Sequence, residues 1–445
     1  MKYFLILTFS IFNFCIAQVN TDLIKIVAED RAEYDCFGWS TTIYGDYCVV
    51  GTSQKKVKAL VGYKSLTEVG GAYIFAKQKN GNWQQTQLLL TNKPKIFDFF
   101  GTSVSMYEGN LAIGCDGDDS NDLKLDDIES GGNRMGAVYM YKLDKFSKWN
   151  KTQKIVLDNR SSSDNFGEKV FLYKNQLAIN SVGRTYKDSK VKGAVYIYEQ
   201  NINGGWVQKY IIKCPEKDVQ LFGKNISLSD SLLIVSSEFP ESAYVFKLGN
   251  AGKWELIKIL HASDKTDSRF GSSVFVKNNL IFVGANGGYE NNSSILADNI
   301  DTIAFRKRKL LGSGSVYVYT IDKKTCNFKQ RIVAKDIKAD MHFGMCMSVS
   351  DSLLVVGAFG DALDIENLID NRYAGAAYIF KQNKMGDWVE IKKIVSPHRS
   401  TWDKFAFSVS VYKQTVIIGS RFEKENAQEK FPLSSAGAAY IYGDK

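Results

Sequence analysis

The chain has little histidine or proline and none of the short motifs that mark common catalytic sites. Its three histidines, His261, His342 and His398, are far apart and in no paired metal-ligand spacing. There is no Gly-x-Ser-x-Gly elbow, no phosphate-cradling glycine loop and no Cys-x-x-Cys. Nucleophile-elbow hydrolysis, P-loop nucleotide chemistry and thioredoxin-like redox chemistry therefore lack their usual signatures. Five prolines in 445 residues exclude polyproline and collagen-like architectures. The formal net charge is only +9, and the lysines are scattered rather than gathered into a basic stripe with aromatics, which disfavours nucleic-acid binding. The one dense basic run, Arg306-Lys307-Arg308-Lys309, falls in a loop. It is either a solvated segment or a patch for an acidic glycan or lipid headgroup. After the first residues no apolar run has the length of a membrane span, so no transmembrane segment is expected.

Those first residues are distinctive. Met1 and Lys2 lead into an apolar run from Phe4 to Ile16, which ends in Cys15-Ile16-Ala17 before Gln18. A basic start, a short apolar stretch and a small-residue exit read as a secretory signal peptide over residues 1–17, with residues 18–445 as the mature domain. A secreted, periplasmic or cell-surface home follows from that reading. Six cysteines remain beyond Cys15. In the predicted hairpin register Cys48 faces residue 43 rather than Cys36, so these two are too far apart to bridge. Cys115 and Cys346 fall at small core positions. Most of the six read as buried free thiols, with a bridge between neighbouring repeats left open.

Length alone suggests two or three domains, but an internal repeat overrides it. The dipeptide Phe-Gly occurs at Phe37, Phe100, Phe166, Phe222, Phe270 and Phe343, and Phe405-Ala406 is a seventh, degenerate copy. Each copy continues with an alternating strand, a tight polar turn and a nearly all-apolar strand ending in small residues, as in Leu280–Ala285. A loop of variable length leads to a Gly-x-Val-Tyr-x-Tyr strand, such as Gly136–Tyr141 or Gly193–Tyr198. A polar tip then precedes Trp83, Trp149, Trp206, Trp254 or Trp388 and a fourth strand, with Phe328 expected in the Trp place of the fifth copy. Inner strands flanked on both faces read as continuous apolar runs, while outer strands alternate. The pattern predicts an all-β, seven-bladed β-propeller.

The chain ends predict how the ring closes. The seventh copy stops at Gly437–Tyr442, its third strand, while Leu23–Asp30 resembles the fourth strands of other copies. The N-terminal strand is thus expected to complete the last blade and remove the open sheet edges. Phe-Gly at the start, with a Gly-Ala ending of the second strand, resembles FG-GAP repeats, as in the integrin α-subunit propeller and many exported microbial proteins. The resemblance covers essentially the whole mature chain and implies the propeller fold. It is much less informative about function, because propellers carry many chemistries.

Strand parity puts the long loops between strands two and three on one face, together with the links into each Phe-Gly. Long variable loops on a rigid scaffold are where binding resides, and the integrin-like family uses this face for ligands. Three loops there carry candidate chemistry. The copy-two loop has Asp116, Asp118, Asp119 and Asp122, either a Ca²⁺ site or a solvated acidic loop. The copy-six loop has Asp361, Asp364, Glu366 and Asp370, and the copy-five loop has Asp298 and Asp301 with Arg306, Lys307, Arg308 and Lys309. The family's calcium loops are acidic insertions between strands one and two, which this chain lacks, so none of those ligands carries over. The expected function is a non-enzymatic, exported binding scaffold for an extracellular protein or glycan, with adhesion as one use and a monomeric propeller as the form. Two alternatives stay open: a carbohydrate-active propeller enzyme using loop carboxylates, and a purely structural interaction module.

Overall fold

A computed structural model describes residues 23–58, 65–119, 133–185, 192–263, 268–287, 312–322, 325–362, 372–425 and 432–443. These residues form seven four-stranded antiparallel sheets and one two-stranded ribbon, Val57–Lys58 with Ser65–Leu66, in the loop of the first blade. No helix occurs among them, and none long and apolar enough to cross a membrane. Each blade runs from an inner first strand to an outer fourth strand, as in Phe100–Tyr107, Asn110–Cys115, Ala137–Leu143 and Trp149–Ile155. In the seventh blade the outer strand is Leu23–Ile26, which pairs with Ala438–Tyr442 in the register Lys25↔Tyr440. Closure by the N-terminal strand is therefore the arrangement of this fold.

The repeated dipeptide has a physical role at each seam. The Phe side chains are almost wholly buried, from Phe37 round to Phe405. Each meets the first tyrosine of its own blade's third strand, from Phe37–Tyr73 (centroids 5.5 Å apart) through Phe222–Tyr244 (5.2 Å) to Phe405–Tyr440 (5.3 Å). Tilted and edge-on pairs of this kind place a ring's positive edge against a neighbour's negative face. The backbone of five of these Phe residues also reaches the previous blade: Phe37 bridges Gly437, Phe100 bridges Gly70, Phe166 bridges Gly136, Phe343 bridges Gly314 and Phe405 bridges Gly375. At Gly38 the φ is +95°, and an added Cβ would lie 2.5 Å from the Ala438 carbonyl oxygen. Only glycine suits that conformation and approach. The degenerate copy keeps a left-handed backbone with Ala406 at φ 62°.

Side chains three residues past each Phe then tie the ring together. Ser40 Oγ donates to Gly101 O (2.8 Å), Ser103 Oγ to Gly167 O (2.9 Å), Asn225 Nδ2 to Gly271 O (3.0 Å) and Ser273 Oγ to Gly344 O (2.6 Å). Cys346 Sγ donates to Ala406 O (3.2 Å), and Ser408 Oγ donates to Gly38 O (2.9 Å). In the third blade Lys169 holds that place, and Asn180 on the second strand donates to Gly223 O instead (2.9 Å). Every inner seam is thus closed by at least one side-chain donor.

Two readings of the sequence meet the structure directly. Ile43 faces Cys48 as expected, and Cys36, Cys48, Cys115, Cys214, Cys326 and Cys346 are all free thiols. Phe328, however, does not take the Trp place in the fifth blade. Leu143 pairs with Trp149 in the second blade, and the equivalent Ile321 pairs with Cys326. Phe328 lies two residues further on, opposite Tyr319, and is exposed. An aromatic residue near the start of the fourth strand does not by itself set the register, and the ladder puts Cys326 at the Trp place.

Candidate functional site

The predicted carboxylates that fall among the described residues are engaged within the fold. Asp116 is paired with Arg134. Asp118 accepts from Tyr139 Oη (2.6 Å), lies 3.1 Å from Lys154 Nζ and is also approached by Arg160. Asp119 accepts from the backbone N–H groups of Asn133 (2.8 Å) and Met135 (3.0 Å), fastening the end of its own loop. Asp361 repeats the Asp118 pattern, accepting from Tyr378 Oη (2.9 Å) and pairing with Lys393 (2.7 Å) and Arg399. Glu423 repeats it again with Tyr440 Oη (2.6 Å) and Lys25 (2.5 Å). Burial pushes the Asp361 carboxyl up, but Lys393 and Arg399 outweigh it and hold it below the usual carboxylate range. Each of the three carboxylates Asp118, Asp361 and Glu423 is an internal ion-pair partner of a lysine on strand four and accepts a hydrogen bond from the tyrosine of strand three.

Among the described residues no group of three or more His, Cys, Asp or Glu is arranged to hold a metal ion. Carboxylates already bonded to Arg and Lys have few oxygens to give Ca²⁺, which takes about six to eight. Asp122, Asp298, Asp301, Arg306, Lys307, Arg308, Lys309, Asp364, Glu366 and Asp370 lie outside the described residues.

A different set of residues is brought together on the same face. Three residues before the Phe of the seventh, first and second copies stand Trp402, Tyr34 and Phe97. They are 50%, 51% and 40% exposed, and all three have left-handed backbones, with φ of 72°, 65° and 67°. A bulky residue in that region is a genuine conformational outlier, and such strain gathers at functional sites. The third copy uses Ser163 and the sixth Asp340 for the same backbone, φ 65° and 59°, so the backbone itself does not call for an aromatic ring. Turns of the preceding blade, just before its third strand, hold Trp402 and Tyr34 in place. Trp402 N–H donates to Arg372 O (2.8 Å) and Lys404 N–H to Tyr373 O (2.9 Å), just as Tyr34 N–H donates to Ser434 O (2.8 Å).

Trp402 caps a cluster of three near-parallel rings, Tyr373, Phe359 and His342, in which His342 also lies 6.1 Å from Tyr373. Trp402 stacks on Tyr373 (4.5 Å, 15°), Tyr373 on Phe359 (6.0 Å, 21°) and Phe359 on His342 (4.9 Å, 4°). His342 is buried, its Nδ1 lies 3.3 Å from Asn286 O, and burial pushes its pKa down. Two cations flank the cluster. Lys404 Nζ sits 5.0 Å from the Phe422 centroid, 5.3 Å from Phe359 and 5.9 Å from Trp402. The Arg421 guanidinium carbon sits 3.9 Å from Phe407, 4.3 Å from Phe422 and 4.6 Å from Trp39. Arg421 Nε is buried with no hydrogen-bond partner, and among the described residues no carboxylate pairs with either cation. Burial, then the neighbouring Arg421, brings Lys404 down to about 8, and burial brings Arg421 down to about 10. On the adjacent blade Lys56 Nζ lies 5.2 Å above the Tyr34 ring.

This site was not singled out from the sequence. Its signal was there in the alignment of copies, as an aromatic residue at one fixed offset before Phe-Gly in three of them. A family model described as FG-GAP repeat matches residues 21–75, 327–380 and 388–442. The chain is an FG-GAP repeat protein. Each match begins in or just before a fourth strand and ends in or at the third strand of the next blade, the same offset by which the N-terminal strand closes this propeller. No curated protein matches the chain.

Proposed function

We propose that this FG-GAP propeller is an exported, non-enzymatic binding scaffold that takes an extracellular protein or glycan on the face bearing Trp402, Tyr34 and Phe97. The observation that carries the reading is the repetition of exposed aromatics with left-handed backbones at one position of three consecutive blades, two of them, Tyr34 and Trp402, beside cations. Exposed aromatics with a polar or charged rim are the usual anchors of recognition surfaces. The commitment of Asp116, Asp118 and Asp361 to internal ion pairs supports binding over carboxylate catalysis. Export rests on the amino-terminal pattern Met1–Ala17. The test is an array of glycans and matrix proteins, probed with the purified mature chain in calcium and in chelator. Binding that is lost in the triple variant Tyr34→Ala, Phe97→Ala, Trp402→Ala supports the reading. Hits that survive the triple variant unchanged place recognition elsewhere and overturn it. A difference between the calcium and chelator arms decides whether Ca²⁺ takes part.

A further inference from the structure

We propose that Trp402, stacked on Tyr373, with Lys404 and Arg421, continued by Tyr34 and Lys56 on the next blade, binds the carboxylated sugar rings of an acidic glycan chain. The inference rests on the binding reading above and names its ligand. One face of Trp402 is covered by Tyr373 and the ring is still half exposed, so the stack ends in a flat, accessible aromatic surface. A pyranose presents a flat face of C–H groups, and stacking that face on an indole removes apolar area from water on both sides.

The cations supply the second half of the recognition. Lys404 and Arg421 share the Phe422 ring, repel one another and have no anion among the described residues. An incoming carboxylate would relieve that repulsion, whereas a neutral or cationic ligand would not. Rings cover the guanidinium faces of Arg421, which leaves its edge for hydrogen bonds, and an edge-on guanidinium matches a planar carboxylate. Ring and cation then recur together on the neighbouring blade as Tyr34 and Lys56. A polymer of acidic sugars repeats the same two features, one flat ring and one carboxylate per residue. An acidic peptide fits less well, because the unpaired sheet edges belong to the outer fourth strands, such as Trp83–Leu89, and this face offers no free strand for an extended chain to join.

The test titrates the full mature chain with an oligogalacturonate hexamer, following tryptophan emission and calorimetry. Three comparison probes are a neutral cellohexaose, a sulfated heparin hexasaccharide and a poly-glutamate peptide. The expected result is binding of oligogalacturonate at least about tenfold tighter than of any comparison probe. Trp402→Ala and Lys404→Gln should each weaken it by about tenfold or more, with melting curves like the parent's. Because Arg421 is packed among rings, Arg421→Lys is used in place of a truncation. Absence of oligogalacturonate binding, preference for the sulfated sugar or the peptide, equal binding of the neutral sugar, or unaltered affinity in Trp402→Ala and Lys404→Gln would each overturn the proposal. If the array finds a different ligand that the triple aromatic variant abolishes, the binding reading stands and this ligand assignment falls.

Discussion

Blade 4 joins its second and third strands through the short turn Glu238–Glu241, and the residue three places before its Phe222 is Val219, buried in the core. Blade 7 has Trp402 at the place of Val219, half exposed, and carries Arg421 and Phe422 directly after its second strand. Inside, the two blades are alike. Phe222 and Phe405 are both fully buried, each against its tyrosine, and Asn225 and Ser408 close their seams with the next blade. Seam geometry recurs round the ring because each blade must fit its neighbour, whereas the rim is free to differ because its side chains meet loops that vary from blade to blade. Function is therefore sought where copies disagree.

The largest expected effect is specific to blade 7. Removing residues 18–30 deletes the strand Leu23–Ile26 and with it Lys25, the partner of Glu423. Cooperative melting should be lost, as read by circular dichroism; an unchanged melting temperature would contradict closure by this strand. Point changes in the shared interior should erase the difference between blades. Phe222→Ala and Phe405→Ala should each cost about 3–5 kcal/mol in denaturant unfolding, and a much smaller loss at either would show that its seam is not equivalent.

A pH experiment separates the blades again. Burial first, then Glu423, pushes Asp403 up to about 8, and burial first, then Asp118, does the same for Asp98. Blade 4 has Gln220 at that position. A carboxyl whose folded pKa is raised binds more protons in the folded chain, so stability should fall as pH rises from about 4 to about 8. Asp403→Asn should flatten that slope and raise the urea midpoint above pH 8, by on the order of 1 kcal/mol or more. A profile identical to the parent's would show that Asp403 is ionised throughout. The smallest effect belongs to the rim. Trp402→Ser, which gives blade 7 the residue of blade 3, should change stability by no more than about 0.5 kcal/mol. A larger loss would make Trp402 a structural residue and weaken its case as a binding one.

The reading from sequence succeeded where one residue type repeats for one reason. Phe-Gly marked every seam, the alternating and continuous apolar runs marked outer and inner strands, and the unmatched Leu23–Ile26 and Gly437–Tyr442 revealed each other as partners. It failed at Phe328, because an aromatic near the right place looked like a substitute for Trp. Only the pairing of Ile321 with Cys326 shows which residue faces the core. It also weighted the acidic loop residues by composition. Asp118 and Asp361 are conspicuous in the sequence, but their partners come from other strands: Tyr139 and Lys154 for the first, Tyr378 and Lys393 for the second.

Local pattern determined the fold, since strand period, turn residues and the left-handed glycine are properties of a few consecutive residues repeated seven times. The tertiary structure alone decided which charges are neutralised. Lys404, Arg421, Trp39, Phe359 and Tyr373 come from four separate stretches of chain, and whether a cation has a carboxylate or only aromatic rings beside it depends on what the ring closure brings within a few ångströms. Electrostatic environment is set by distance in space and by burial, and neither is written in the order of residues along the chain.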